Sequence, residues 1–141
     1  MDQRNGAAVI GFVVGALVAL VFAVVISLVP SWVFLETGWR AVVYVGVAFA
    51  APPTVWFLQG VATWTRRDTR LVFAWGTIGA MAFDGLAIGF VPALYGQTGD
   101  ALAWAASSLL FAFASLQVAG VLMLGPRSAT RAEGASSSVR A

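Results

Sequence analysis

The sequence predicts an all-α fold: an integral membrane four-helix bundle with N and C termini cytoplasmic and a disordered C-terminal tail. Three observations predict it. The apolar residues fall into four runs of about 21–24 residues, each long enough at 1.5 Å per residue for the ~30 Å hydrocarbon core of a bilayer. Only 10% of the 141 residues are charged and 60% are hydrophobic, whereas a soluble domain carries about a quarter charged residues. Seven of the eight arginines fall on one side of the runs.

Residues 7–29 form the first helix, uncharged over a length that exceeds the ~7–15-residue apolar region of a signal peptide, so it is expected to be retained. Pro30 ends it. Residues 31–40 read as a loop, with Trp32, Phe34 and Trp39 as interfacial anchors around Glu36. The second helix, 41–63, carries Pro52 and Pro53 near its middle. These remove two backbone donors and free the carbonyls of Ala48 and Phe49, which predicts a kink. Residues 65–70 are a tight loop with Arg66, Arg67, Asp68 and Arg70. The third helix, 71–91, contains one acid, Asp84. Residues 92–100 form a turn with Gly96 and Gly99, and Tyr95 reads as a belt residue there, beside Trp39 and Trp104. The fourth helix is 101–124. Gly125 and Pro126 end the four-span domain of residues 1–126, and 127–141, built of Ser, Ala, Gly and Arg, forms the polar tail.

Arginine placement sets the direction, because short basic loops stay in the cytoplasm. Arg4, Arg66, Arg67, Arg70, Arg127, Arg131 and Arg140 lie on one side and Arg40 alone on the other. That bias predicts a cell (inner) membrane protein with both ends inside, and it counts against dual topology.

Lipid offers no hydrophobic drive for helix association, so small residues mark where backbones approach. In the first helix Ala7, Gly11, Gly15, Ala19, Ala23 and Ser27 recur every four residues and predict its packed face. In the fourth, Ala101, Ala105, Ser108, Ala112, Ser115 and Ala119 alternate four and three, the period of a left-handed seam. A second line, from Ala103 through Ser107 and Gln117 to Val121, lies on another face. The third helix holds Gly76, Gly79, Gly85 and Gly89, read chiefly as packing positions.

Asp84 stands out among the polar residues. A carboxylate at mid-membrane costs roughly 2.5–3.5 kcal/mol on insertion scales, and no arginine or lysine within the spans can pair with it. Counted along the helices, it lies about 12 Å inside the outer boundary and Ser107 and Ser108 about 10 Å inside, so the three are expected at one level. Thr77, Gln59 and Gln117 form a second level at about 22–27 Å. These six are the candidate intramembrane polar site, either lining a path or making interhelical hydrogen bonds of about 0.6 kcal/mol each.

The stretch from Ile78 to Tyr95, IGAMAFDGLAIGFVPALY, resembles an uncharacterised bacterial four-helix membrane protein family, domain of unknown function 5367, whose third helix places a methionine and an aspartate as Met81 and Asp84 stand here. Gly79 and Ala80 occupy the positions where that family shows proline and glycine. The likeness covers the last three helices and implies a bacterial inner membrane, with no activity attached.

Cysteine and histidine are both absent, which removes thiolate and imidazole ligands and nucleophiles. No dyad or base–nucleophile pair points to an enzyme, no cofactor is expected, and no basic face with interleaved aromatics points to nucleic acid. The expected partners are the lipid bilayer and a second copy or another membrane protein. Two functional expectations follow. The first is a non-catalytic membrane protein that packs with itself or a membrane partner. The second is a small proton- or cation-coupled transporter or channel that uses Asp84.

Overall fold

A computed structural model describes residues 3–125, and in them the chain is helical apart from short connections, with no strand. The long helices are α1 (Gln3–Leu28), α3 (Thr37–Trp64), α4 (Thr69–Phe90) and α5 (Gly99–Leu124). A five-residue helix, α2 (Ser31–Leu35), precedes α3, and a 3₁₀ turn, Pro92–Tyr95, follows α4. All four long helices are long and apolar enough to cross a membrane. The polar tail, 127–141, and Pro126 lie outside the described residues.

The helices associate as two intimate pairs, α1 with α4 and α3 with α5, joined mainly through α3 and α4. Glycine explains the first pair. A Cβ on Gly15 would overlap the Gly76 carbonyl oxygen, one on Gly79 would overlap that of Phe12, and one on Gly11 would come within 2.6 Å of that of Val72. Backbones in such contact gain dispersion along their length, and no larger residue permits it. The paired positions advance together along both chains, so α1 and α4 run parallel. The small residues of α1 named above are buried as predicted, Ser27 being half-buried. On α5, Ala101, Ala105, Ser108 and Ala119 are buried and Ala112 and Ser115 half-buried, which makes that seam the inward face.

The connections follow from local chemistry. At the arginine end, α3 closes with Arg67 N–H donating to the Ala62 carbonyl and Arg66 N–H to that of Thr63. This is the Schellman pattern, in which the residue after the cap turns left-handed. Arg66 fills that position at φ 53°, on the order of 1 kcal/mol less favourable than glycine. Asp68 then caps α4 by accepting from Leu71 N–H at 2.9 Å. α3 itself continues through Pro52 and Pro53, which sit on its exposed face.

The opposite end corrects two expectations. The segment 31–40 is not a loop, because α2 forms directly after Pro30 and α3 begins at Thr37. That turns Phe34 inward, where it is 1% exposed, while Trp32 and Trp39 stay outside in an edge-to-face pair. Tyr95, read as a belt residue, is completely buried. Both rings fill the apolar cluster that Ala23, Ile26, Ala87 and Ala105 leave open at this end, since alanines alone leave the helix ends too thin to pack.

Candidate functional site

Asp84 sits two turns before the end of α4, on the face it shares with Thr77 and Ala80, and is 5% exposed. Its partner is not a serine. Pro92 stops α4 and starts the 3₁₀ turn, which folds the chain back over the end of the bundle so that the Tyr95 hydroxyl donates to Asp84 Oδ1 at 2.6 Å. Burial, then the Asp84 hydrogen bond, raises the Tyr95 phenol above its usual pKa, so the hydroxyl keeps its proton and remains the donor.

The turn is anchored on α1. Gly96 is left-handed at φ 62°, and a Cβ there would come within 2.9 Å of the Ser27 carbonyl oxygen. Gln97, 2% exposed, donates through Nε2 to the carbonyl oxygens of Val29 at 2.7 Å and Ile26 at 3.2 Å. It thereby satisfies the Val29 carbonyl and adds a second bond to that of Ile26, which already accepts from Val29 N–H. Its Oε1 has no hydrogen-bond partner among the described residues.

Beside Asp84 lies a cavity of about 60 Å³ that all four long helices line, with Val18 and Phe22 from α1, Ala50 and Thr54 from α3, and Phe113 from α5 among its walls. The volume accommodates a few waters or one small apolar group. Asp84 is the sole ionisable side chain on its wall, and Thr54 turns its hydroxyl onto the Ala50 carbonyl at 2.8 Å. Oδ2 of Asp84 has no protein partner among the described residues, nor does Asp84 form an ion pair there. The group therefore has one oxygen held by a phenol and stands on the wall of a small, mainly apolar space. It can keep or release a proton to water in that space. Among the described residues no three Asp, Glu, His or Cys side chains converge as a metal site would need.

The other five predicted residues are dispersed. Ser107 bonds to the Tyr44 hydroxyl, tying α5 to α3, and the buried Ser108 returns its hydroxyl to the Ala105 carbonyl at 2.7 Å. Thr77 is buried and donates to the Ala74 carbonyl at 2.9 Å. Gln59 is half-buried, Gln117 is exposed, and no hydrogen bond joins them to Thr77. Tyr95 and Gln97 are the residues that sequence reasoning passed over. The available signal was local: a proline directly after a helix, then Tyr-Gly-Gln, with the glycine free to turn left-handed and send the chain back. Searches against family models, curated proteins and solved structures find no match for the chain.

Proposed function

We propose that this is a small multi-pass protein of a bacterial inner membrane, with both termini cytoplasmic, that carries a solute or ion in a proton-dependent way through Asp84. The membrane placement is supported by the bundle's surface. Leu28, Phe49, Trp56, Trp64, Phe90 and Leu122 are all more than 70% exposed, an apolar exterior that water would not tolerate and lipid would. The direction rests on the arginine bias.

The observation that carries the reading is an acid without a cationic partner, on the wall of a cavity that every long helix lines. A carboxyl at that depth is costly, and such groups are typical of proton relays. Tyr95 deepens the argument, since it links the acid to the turn that follows α4. Gain or loss of the Asp84 proton changes the strength of that hydrogen bond, and so biases how firmly the turn is held against α4. Pro52 and Pro53 adjoin the cavity-lining Ala50, Ala51 and Thr54, where missing backbone donors make α3 easiest to bend. No step requires enzymatic chemistry. In proteoliposomes with an imposed pH gradient and an internal pH dye, the wild type should dissipate the gradient faster than empty vesicles. Asp84→Asn should return the rate to that of empty vesicles, and an unchanged rate in the variant would refute the assignment.

One observation favours the second reading, a non-catalytic protein that packs with itself or a membrane partner. Gly85 and Gly89 lie on the exposed side of α4, with nothing within 4 Å of where a Cβ would stand. A GxxxG pair unused inside the bundle suits contact with another helix. Native mass spectrometry in mild detergent should then show a complex that Gly85→Leu disperses; a monomer in both forms counts against it.

A further inference from the structure

Three arginines from segments more than sixty residues apart meet at one end of the α1–α4 seam. Arg4 in the first turn of α1, Arg67 in the loop and Arg70 in the first turn of α4 line a groove of about 480 Å³ with Asp68 and Leu71. The arrangement is built, because the Arg67 guanidinium lies across α1 in the space that Gly6 leaves. A Cβ on Gly6 would stand 2.6 Å from Arg67 Cζ. Asp68 is committed to capping α4, and among the described residues that line the groove Arg4 and Arg70 add two positive charges beside Arg67. Guanidinium groups match phosphate oxygens in geometry as well as charge.

A second groove of about 330 Å³ continues the same seam. Ala8, Val9, Phe12 and Val13 of α1 and Trp75 of α4 line it, and its walls are apolar. Ala8 is one turn on from Arg4, and Trp75 one turn on from Leu71, so the two grooves follow one another on the same helix faces. A charged groove leading into an apolar one has the shape of an amphiphile with an anionic head.

We infer that this seam binds one anionic phospholipid, its phosphate on Arg4 and Arg70 and an acyl chain along Ala8, Phe12 and Trp75. A free phosphate would use the first groove and leave the second idle, which is why the lipid is the ligand assigned. The inference shares the membrane placement proposed above but not the role of Asp84, and its test is independent of any proton flux. Basic pockets between spans on the cytoplasmic side are where anionic headgroups are held, each arginine contributing about a factor of five in affinity.

The test is thermal unfolding of the purified full chain in a mild nonionic detergent, followed by tryptophan fluorescence, with dioleoyl phosphatidylglycerol, dioleoyl phosphatidylcholine or inorganic phosphate added. Phosphatidylglycerol should raise the melting temperature saturably, and the other two should not. Arg4→Gln/Arg70→Gln should move the phosphatidylglycerol midpoint roughly thirtyfold higher. Ala8→Phe, which fills the apolar groove and keeps every arginine, should also weaken the response. Arg66→Gln removes a charge from the same loop but not from the groove, and should leave the midpoint in place. An equal response to phosphatidylcholine overturns the proposal, as does full reproduction of the shift by inorganic phosphate. Equal loss in Arg66→Gln and in the double variant also overturns it, by reducing the effect to diffuse charge. Should the double variant fail to fold, the wild-type lipid preference and Ala8→Phe decide the matter.

Discussion

Gly15→Ala should cost about 3 kcal/mol or more and loosen α1 from α4, although it adds a single methyl group to a helix that ordinarily favours alanine. The added carbon would overlap the Gly76 carbonyl oxygen, which belongs to backbone and cannot rotate away. Relief requires moving one helix off the other, and that loses the neighbouring contacts of Gly11 with Val72 and Gly79 with Phe12 in the same step. Gly60→Ala is the matched control. Nothing lies within 4 Å of its Cβ position, so helix propensity alone should act and stability should stay level or rise by up to about 1 kcal/mol. Unfolding by dodecyl sulfate titration from mixed micelles, read by helical circular dichroism, compares the two. Equal midpoints for Gly15→Ala and the wild type would show that the two backbones do not touch as described.

Tyr95→Phe should cost about 1–3 kcal/mol while keeping the ring and its packing in the end cluster. The loss falls on Asp84, whose Oδ1 would be left among apolar neighbours without its donor. A buried polar atom stripped of its partner costs more than the hydrogen bond contributed, because its desolvation is no longer offset. Removing both members should therefore cost less than the sum. Asp84→Leu/Tyr95→Phe should recover part of the stability lost in Tyr95→Phe, and the same sulfate titration on the four forms measures the coupling. Additivity of the two single substitutions would mean that the hydroxyl and the carboxyl do not interact. The pair also bears on the proton reading, since Tyr95→Phe leaves the ionisable group in place and alters only what holds it.

The helices were legible because their signal is one-dimensional. Runs of uncharged residues end at Pro30, at the 65–70 loop, at Pro92 and at Gly125, and the observed helices begin and end within a few residues of those marks. The packed face of α1 was legible for a related reason, as only small residues recur at its four-residue period and only small residues let a neighbouring backbone come so close. Phe34 and Tyr95 were not. An aromatic residue near the end of an apolar helix reads as an interfacial anchor unless the chain turns back, and each turn here is a short helical segment of four or five residues started by a proline. Counting depth along straight helices put Asp84 level with Ser107 and Ser108, yet depth carries no rotation. Ser107 faces Tyr44, and Ser108 satisfies itself on its own helix.

The amino-acid sequence by itself determined how many long helices form, where they stop and which face of α1 is packed, because these depend on length, composition and period. The tertiary structure alone decided which helices pair, that Tyr95 rather than a serine holds Asp84, and that a cavity lies beside that acid. In this chain the inward and outward faces of the helices are both apolar. Hydropathy therefore cannot orient them, and the choice falls to close contacts such as Gly15 with Gly76, whose partners lie far apart in the sequence.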